Sequence, residues 1–341
     1  MITTNEKVKV MENHKSIKQR STKDIIYNDI LLCVSSDIRM ILKKIPGYVL
    51  EPVEEIRLRI NKPLMLYDHI FGWFVTPSGE FTEDASCAYI VSGDDISKCL
   101  ELMSNNSIYS IQEELKNGFI TIAGGHRIGI TGKVIANGQR ISHIKDIAGM
   151  NIRISKQIIG AADDMMKHII KKPSSVYNTL IISPPQCGKT TILRDVARQL
   201  SYGINSFNFH GIKVGIVDER SEIAGCYKGV PQNDVGPRTD VLDACPKACG
   251  MTMMIRSMSP AVIITDEIGM EEDIAALKQV LNAGVKIITS IHGYSRQDVL
   301  VRPLIGKLIA DNIFEKIVVL SKSRGTGTIE EIIDGKSREI I

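Results

Sequence analysis

The stretch Leu180–Asp195, LIISPPQCGKTTILRD, decides the fold. An apolar, β-branched run ends in a Pro-Pro turn, Gly188-Lys189-Thr190 follows, and helical apolar spacing begins just beyond. Strand, turn and helix around Gly-Lys-Thr is the setting of a phosphate loop, whose pattern is Gly, four residues, Gly-Lys and Ser or Thr. Ser183 stands at the first glycine position, followed by Pro184, Pro185, Gln186 and Cys187. In such a loop the backbone N–H groups and the helix N-terminus face phosphate. Gly188 permits close approach, Lys189 brings a point charge to the β and γ phosphates, and the Thr190 hydroxyl ligates Mg2+, with Thr191 completing the segment. The serine is harmless if the position needs only a small residue, and costly if the backbone there requires φ > 0. Cys187 reads as a small loop residue rather than a redox-sensitive thiol.

Outward from this loop, strand-like apolar runs recur with helical segments between them: NTLIIS, KVGIVD, AVIITD and VKIITSI. Strands apolar on both faces belong to buried parallel sheets, so the second half reads as a wound α/β sheet. Ligand sites in such sheets gather at the carboxyl ends of the strands. One strand ends at Asp266-Glu267: the aspartate is expected to hold Mg2+ and the glutamate to polarise the attacking water as a general base. Another ends at Asp218-Glu219-Arg220, which makes Glu219 a rival or co-worker for water activation. A third ends at Thr289-Ser290 and His292. His292 either senses the γ phosphate or is structural. Arg238 and Arg256 either stabilise transferring charge, within the subunit or across an interface, or form surface ion pairs.

The first half has a different texture. SSDIRMILKKI, ISKCLELMSNN and SIYSIQEELKNG carry helical spacing, the last ending at Gly118. VEEIRLRINKPLMLY alternates as a strand, and FITIAGGHRIGITGKVIANGQRIS, rich in glycine and β-branched residues, reads as a hairpin or meander followed by the strand MNIRIS. GGHRIGITGK lacks the spacing of a second phosphate loop, although Arg57, Arg59 and Arg127 remain within conceivable reach of a neighbour's nucleotide. KQIIGAADDMMKHIIKK is expected to be an amphipathic helix opening the second domain. The resulting division is a flexible basic arm over 1–24, an α+β domain over 25–157 and an α/β domain over 158–341.

Composition bounds the function. A net charge of +3 on 341 residues and an aromatic content of 5% supply neither the basic groove nor the stacking platforms of a nucleic-acid binder. No apolar run approaches the roughly 18–20 residues of a membrane span, and the N-terminus lacks a secretory apolar segment, which places the protein in the cytoplasm. Seven scattered cysteines do not form a disulfide framework, and Cys245/Cys249 have no second pair at zinc spacing.

Taken together, PPQCGKTTILRDVARQLS, VDERSEIAG, DVGPRTDVLD, MIRSMSPAVIITDEIG and SIHG resemble the stage III sporulation protein AA family of endospore-forming bacteria, as do EEIRLRINKP and GFITIAGGHRIGITGKV in the first half. The resemblance spans nearly the whole chain after the arm. It implies kinship with the secretion ATPases: a RecA-like P-loop NTPase domain preceded by a smaller α+β N-terminal domain, usually assembled as a hexamer. It further implies ATP and Mg2+ as cofactors, a mother-cell cytoplasmic location peripheral to a membrane complex, and partners among the membrane proteins of the stage III sporulation channel. The phosphate loop falls on Ser183–Thr191, the family's acidic segment on Asp218–Glu222, the Mg2+ strand on Asp266-Glu267 and the histidine segment around His292, where Gly293 stands in place of the usual Thr. Two other readings compete with a motor: a RecA-like ATPase on single-stranded nucleic acid, and an ATP-binding assembly scaffold that rarely turns over.

Overall fold

The computed structural model describes residues 20–341 except 69, 138 and 139. The described chain forms two compact units: one runs up to Gln112 and resumes over Ile130–Gln157, the other comprises Glu113–Gly129 and Ile158–Ile341. One division between the two units lies at Gln157/Ile158. The segment 113–129, read as part of the first domain, belongs instead with the second unit.

In the first unit, Ser21 caps α1 (Thr22–Asn28) by accepting the Asp24 N–H. Thr22 is buried and donates to the Glu51 carbonyl at 2.7 Å. Residues 20–24 are therefore packed structure and not the end of a flexible arm; residues 1–19 of that expected arm lie outside the described residues. Helix α2 (Ser36–Lys44) buries Ile38, Ile41 and Leu42, the stripe its spacing predicts. The expected strand over 53–67 is a hairpin, β1 (Glu55–Arg59) against β2 (Met65–Tyr67), because Asn61 takes the left-handed conformation at φ 58°. Strands β3 (Gly72–Val75) and β4 (Phe81–Thr82) continue the meander, and α3 (Gly93–Met103) starts from a Ser92/Asp95 capping box.

The helix expected over 107–118 is a 3-10 turn followed by the short α4 (Gln112–Lys116). Beyond it come β5 (Phe119–Ile122), β6 (His126–Asn137) and β7 (Arg140–Arg153), which absorbs MNIRIS. The first unit's sheet runs β4-β3-β2-β1-β7-β6. Strand β5 and the opening of β6, a hairpin pairing Phe119 with Gly129, count with the second unit.

The second unit is built on β8 (Thr179–Ser183), β9 (Val214–Asp218), β10 (Thr239–Asp243), β11 (Val262–Glu267), β12 (Lys286–His292), β13 (Lys316–Ser321) and β14 (Thr328–Asp334), in spatial order β10-β9-β11-β12-β8-β13-β14. All neighbours are parallel except the last pair. The inner strands β8, β9, β11, β12 and β13 are buried and largely apolar because both faces are covered, while the edge strands β10 and β14 carry acids. Ile181, Ile216, Ile264 and Ile288 pack with α5 (Asp163–Ile169) and α6 (Lys189–Tyr202). Leu180, Ile182, Ile263 and Ile287 face α7 (Lys247–Ser257), α8 (Glu271–Asn282), α9 (Arg296–Leu300) and α10 (Pro303–Ala310). Alternate side chains of one strand thus serve opposite layers. Helix α5 is shorter than its spacing predicts, since Gly160 makes a left-handed turn before it and Ile170–Lys171 pairs with Ser175–Val176 after it. No helix among the described residues is long and apolar enough to cross a membrane.

Candidate active site

Strand register brings the sequence-derived residues to one edge. Ser183 pairs with His292 across β8/β12, and Glu267 pairs with Ser290 across β11/β12, where a bulge shifts the ladder between Ile264 and Glu267. The loop after β8 lies above this edge. Ser183 ends its strand fully buried in extended backbone, and its hydroxyl donates to the Pro184 carbonyl at 3.0 Å. No glycine conformation is needed there, which accounts for the serine. The left-handed positions are Gln186 at φ 58° and Gly188 at φ 79°. A Cβ on Gly188 would stand 2.9 Å from Thr326 Cγ2 and 3.2 Å from the Gly327 N, so this glycine is required both by its dihedral and by its neighbours. Pro184 and Pro185 have no N–H to offer an anion; they fix the loop's course, and the donors begin at Gln186. Cys187 is buried, and its carbonyl accepts the Gly327 N–H at 3.1 Å.

Gly188 caps α6 without a side-chain bond, so the first N–H groups of this helix lack an intrahelical partner. Lys189, Thr190 and Thr191, all half-buried, form its first turn. The Lys189 ammonium lies 3.3 Å from His292 Nε2 and 3.9 Å from Glu267 Oε2, while His292 Nε2 lies 3.1 Å from the same carboxylate oxygen. Burial lowers the lysine's pKa, opposed by Glu267 and Asp266. Arg302 fixes the strand end by donating to the His292 carbonyl at 2.6 Å. His292 Nδ1 and Ser290 Oγ are buried without hydrogen-bond partners among the described residues.

On the other side of β11, Asp266 is nearly buried, and burial pushes its pKa up to about 6 against the lowering pull of Lys247. Its Oδ1 has no hydrogen bond among the described residues; the Lys247 ammonium is 3.7 Å away and also contacts Glu219 Oε2. Burial lowers the pKa of Lys247, but the carboxylates outweigh it and the net direction is upward.

The acidic segment after β9 is tightly anchored. Asp218 is wholly buried and accepts the N–H groups of Glu222 and Ala224, each at 2.9 Å. Both its oxygens are used by backbone, so it shapes the loop, and Glu219 is the carboxylate left to face the site. Arg194, from the buried side of α6, donates to the Ile223 carbonyl at 2.5 Å and the Glu222 carbonyl at 2.6 Å. Burial pushes its pKa down to about 10. Arg127 pairs with Glu222 at 3.0 Å and stacks over Phe119 at 3.5 Å, so this arginine is engaged within its own unit.

The structure does not bring every proposed residue here. Arg238 precedes β10, its carbonyl accepts the Val214 N–H at the start of β9, and its guanidinium donates to the Ser201 carbonyl at 2.7 Å. It therefore stands at the amino edge of the sheet, away from the loop of its own chain. Arg256 is exposed in the last turn of α7. The arginine whose charge reaches both Lys189 and Asp266 is the exposed Arg220. Sequence reasoning missed Lys247 and Arg194. The available signals were a lysine at the first position of a helix, where the dipole disfavours a cation, and an arginine inside the buried face of α6.

An unpaired buried carboxylate oxygen, a hydroxyl-bearing helix start, a lysine at the loop and uncapped N–H groups suit a nucleotide phosphate chain with a divalent ion.

The fold is that of the RecA-like secretion ATPases. The ATPase DotB of Legionella pneumophila superposes with a TM-score of 0.51 at 15% identity, over 78% of this chain and 72% of that one. The pilus retraction motor PilT with bound ADP gives 0.51 at 12% identity, over 78% and 74%. At such identities the likeness speaks for the fold alone. The chain belongs to the family described as sporulation stage III, protein AA, whose sequence profile matches residues 21–340. The stage III sporulation protein AA of Bacillus subtilis (strain 168) is 43% identical over 307 residues, covering 90% of this chain and 95% of that protein.

Proposed function

We propose that this protein is a Mg2+-dependent ATPase, a motor of the secretion type that energises or assembles the channel between mother cell and forespore. The observation that carries the reading is the meeting of Lys189, Glu267 and His292, from three elements far apart in sequence, within 3.1–3.9 Å at the carboxyl edge of a parallel sheet. The names of its structural neighbours, an ATPase and a retraction motor, agree with it.

Lys189 and the N–H groups from Gln186 to Thr191 would hold the phosphates, and Thr190 with Asp266 would hold the ion. When bound, Mg2+ supplies neutralisation of charge on the β and γ phosphate oxygens. Glu267 is the general base, already fixed in place by His292; Glu219 is its alternate. His292 bridges the loop lysine and the base, a position suited to registering phosphate at Lys189. Arg220 is the charge-stabilising arginine available within the chain. Arg238, tied to the far edge, has a nucleotide role only toward a neighbouring subunit, as expected in a homo-oligomer, here a hexamer. The assembly would act at the mother-cell face of the membrane complex, with the stage III channel proteins as partners.

Lys189→Ala tests the reading directly. Binding of a fluorescent ADP analogue and release of phosphate from ATP should both be lost; normal turnover in this variant would refute the site. Mass measurement in solution with and without Mg-ATP tests the ring, and a monomer under every nucleotide condition would contradict it.

A further inference from the structure

Glu219 at the end of β9 and Asp266 at the end of β11 share one cation. The Lys247 ammonium touches Glu219 Oε2 and stands 3.7 Å from Asp266 Oδ1, with its side chain only 11% exposed. Lys247 is the first residue of α7, after a Pro246 cap that makes no side-chain hydrogen bond. A cation there faces the positive end of the helix dipole, and ordering a four-carbon stem costs rotamer freedom. Neither term serves the helix. What offsets both is the pair of carboxylates.

Lys189 does not share this task. Its ammonium lies with Glu267 and His292, its charge reaches Asp266 only without direct contact, and phosphate would draw it away from them. Lys247 belongs to a different helix and remains with Glu219 and Asp266. It stands between the acid expected to hold the ion and the alternate base, where a free divalent cation would otherwise be attracted by two like charges.

Resting on the nucleotide reading above, we propose that Lys247 is a positioning residue, an internal counter-ion that keeps free divalent metal off Glu219 and Asp266 until nucleotide brings the ion with it. An ion arriving alone must displace an ammonium already in contact with both acids. An ion carried by a triphosphate brings its own oxygen ligands and needs only Asp266 and Thr190. Metal and nucleotide then enter as one unit, and the edge does not accumulate Mg2+ between turnovers.

The full chain without nucleotide, titrated with MgCl2 and followed by calorimetric binding and by thermal midpoint, tests this. The wild type should respond weakly. Lys247→Met should bind Mg2+ at least about fivefold more tightly, the factor one unit charge about 4 Å away exerts even at the dielectric of water. Its midpoint should rise with the metal. Lys247→Arg, which keeps the charge, should behave as wild type. If Lys247→Met does not fold, Lys247→Gln removes the charge while leaving a donor toward Glu219 and should give the same tightening. Equal Mg2+ affinity in wild type and charge-free variants overturns the inference, as does an arginine variant that behaves like methionine. Lys189→Ala separates the two levels: normal nucleotide binding in that variant sinks the underlying reading, whereas lost nucleotide binding together with an unchanged metal response at Lys247→Met sinks the counter-ion role alone.

Discussion

Asp266 carries a charge that the folded chain does not fully satisfy, and Asp266→Asn measures it. Burial raises its pKa from 3.8 to about 6, a difference of roughly two units. At about 1.36 kcal/mol per unit, ionised Asp266 costs the nucleotide-free fold about 3 kcal/mol at neutral pH. Its side chain is 11% exposed, so solvent screening removes little of this, but the asparagine also takes one of two acids away from Lys247. A net gain of about 1–3 kcal/mol is expected. The sign follows from linkage: an acid whose folded pKa is raised contributes stability below the unfolded value, and loses it as pH rises through the folded value. The wild type should therefore lose ground to the variant between about pH 3.8 and 6, with the full difference above 7. Thermal melts of both proteins from pH 4 to 8 without nucleotide provide the assay. In a unit of this size, 1 kcal/mol moves the midpoint by roughly 2–4 °C. With Mg2+ and a non-hydrolysable ATP analogue the order should reverse, because the charged carboxylate holds the ion more tightly than the neutral amide does. A variant that melts below wild type at pH 7.5, or a gain that does not vary with pH, refutes the claim that this acid sits at a cost until its ligand arrives.

Glu267→Gln should retain nucleotide binding, read by fluorescence of an ADP analogue, and lose phosphate release; if hydrolysis survives, Glu219→Gln should abolish it and the base is reassigned. Arg194→Ala leaves the Glu222 and Ile223 carbonyls without their buried donor, which should destabilise the second unit by about 3 kcal/mol in urea unfolding and loosen the segment bearing Glu219. An unfolding midpoint unchanged by that substitution would mean that the acidic segment is held from elsewhere.

The phosphate loop and the acidic strand ends were legible because their signals are local. Short, mostly apolar β-branched runs that end in a polar or acidic residue announce buried parallel strands, and β8, β9, β11 and β12 are all found there, β9 and β11 with acids at their ends. What was not legible rests on pairs distant in the chain. Residues 113–129 leave the first domain through contacts such as the Gly124 N–H to Gln232 at 2.9 Å and Arg127 to Glu222, neither of which has any local pattern. Which of its two readings suits Arg238 was not legible for the complementary reason: a conspicuous local string, GPRTD, says nothing about which edge of the sheet it occupies, and it precedes its strand where the acids follow theirs.

Lys247 illustrates the same limit at the site itself. Its partner Glu219 is 28 residues away, and only the β9-β11 adjacency brings Asp266 to the same ammonium. A rule that reads spacing finds groups that touch the ligand, since loop and strand ends present them in sequence-contiguous sets. Groups that hold those groups in readiness come from whichever helix happens to pack nearby, so their only trace is a local misfit, such as a lysine opening a helix against its dipole. Such misfits in the helices flanking a legible site are where further positioning residues of this protein are to be sought, and Arg194, charged within the buried face of α6, answers to the same description.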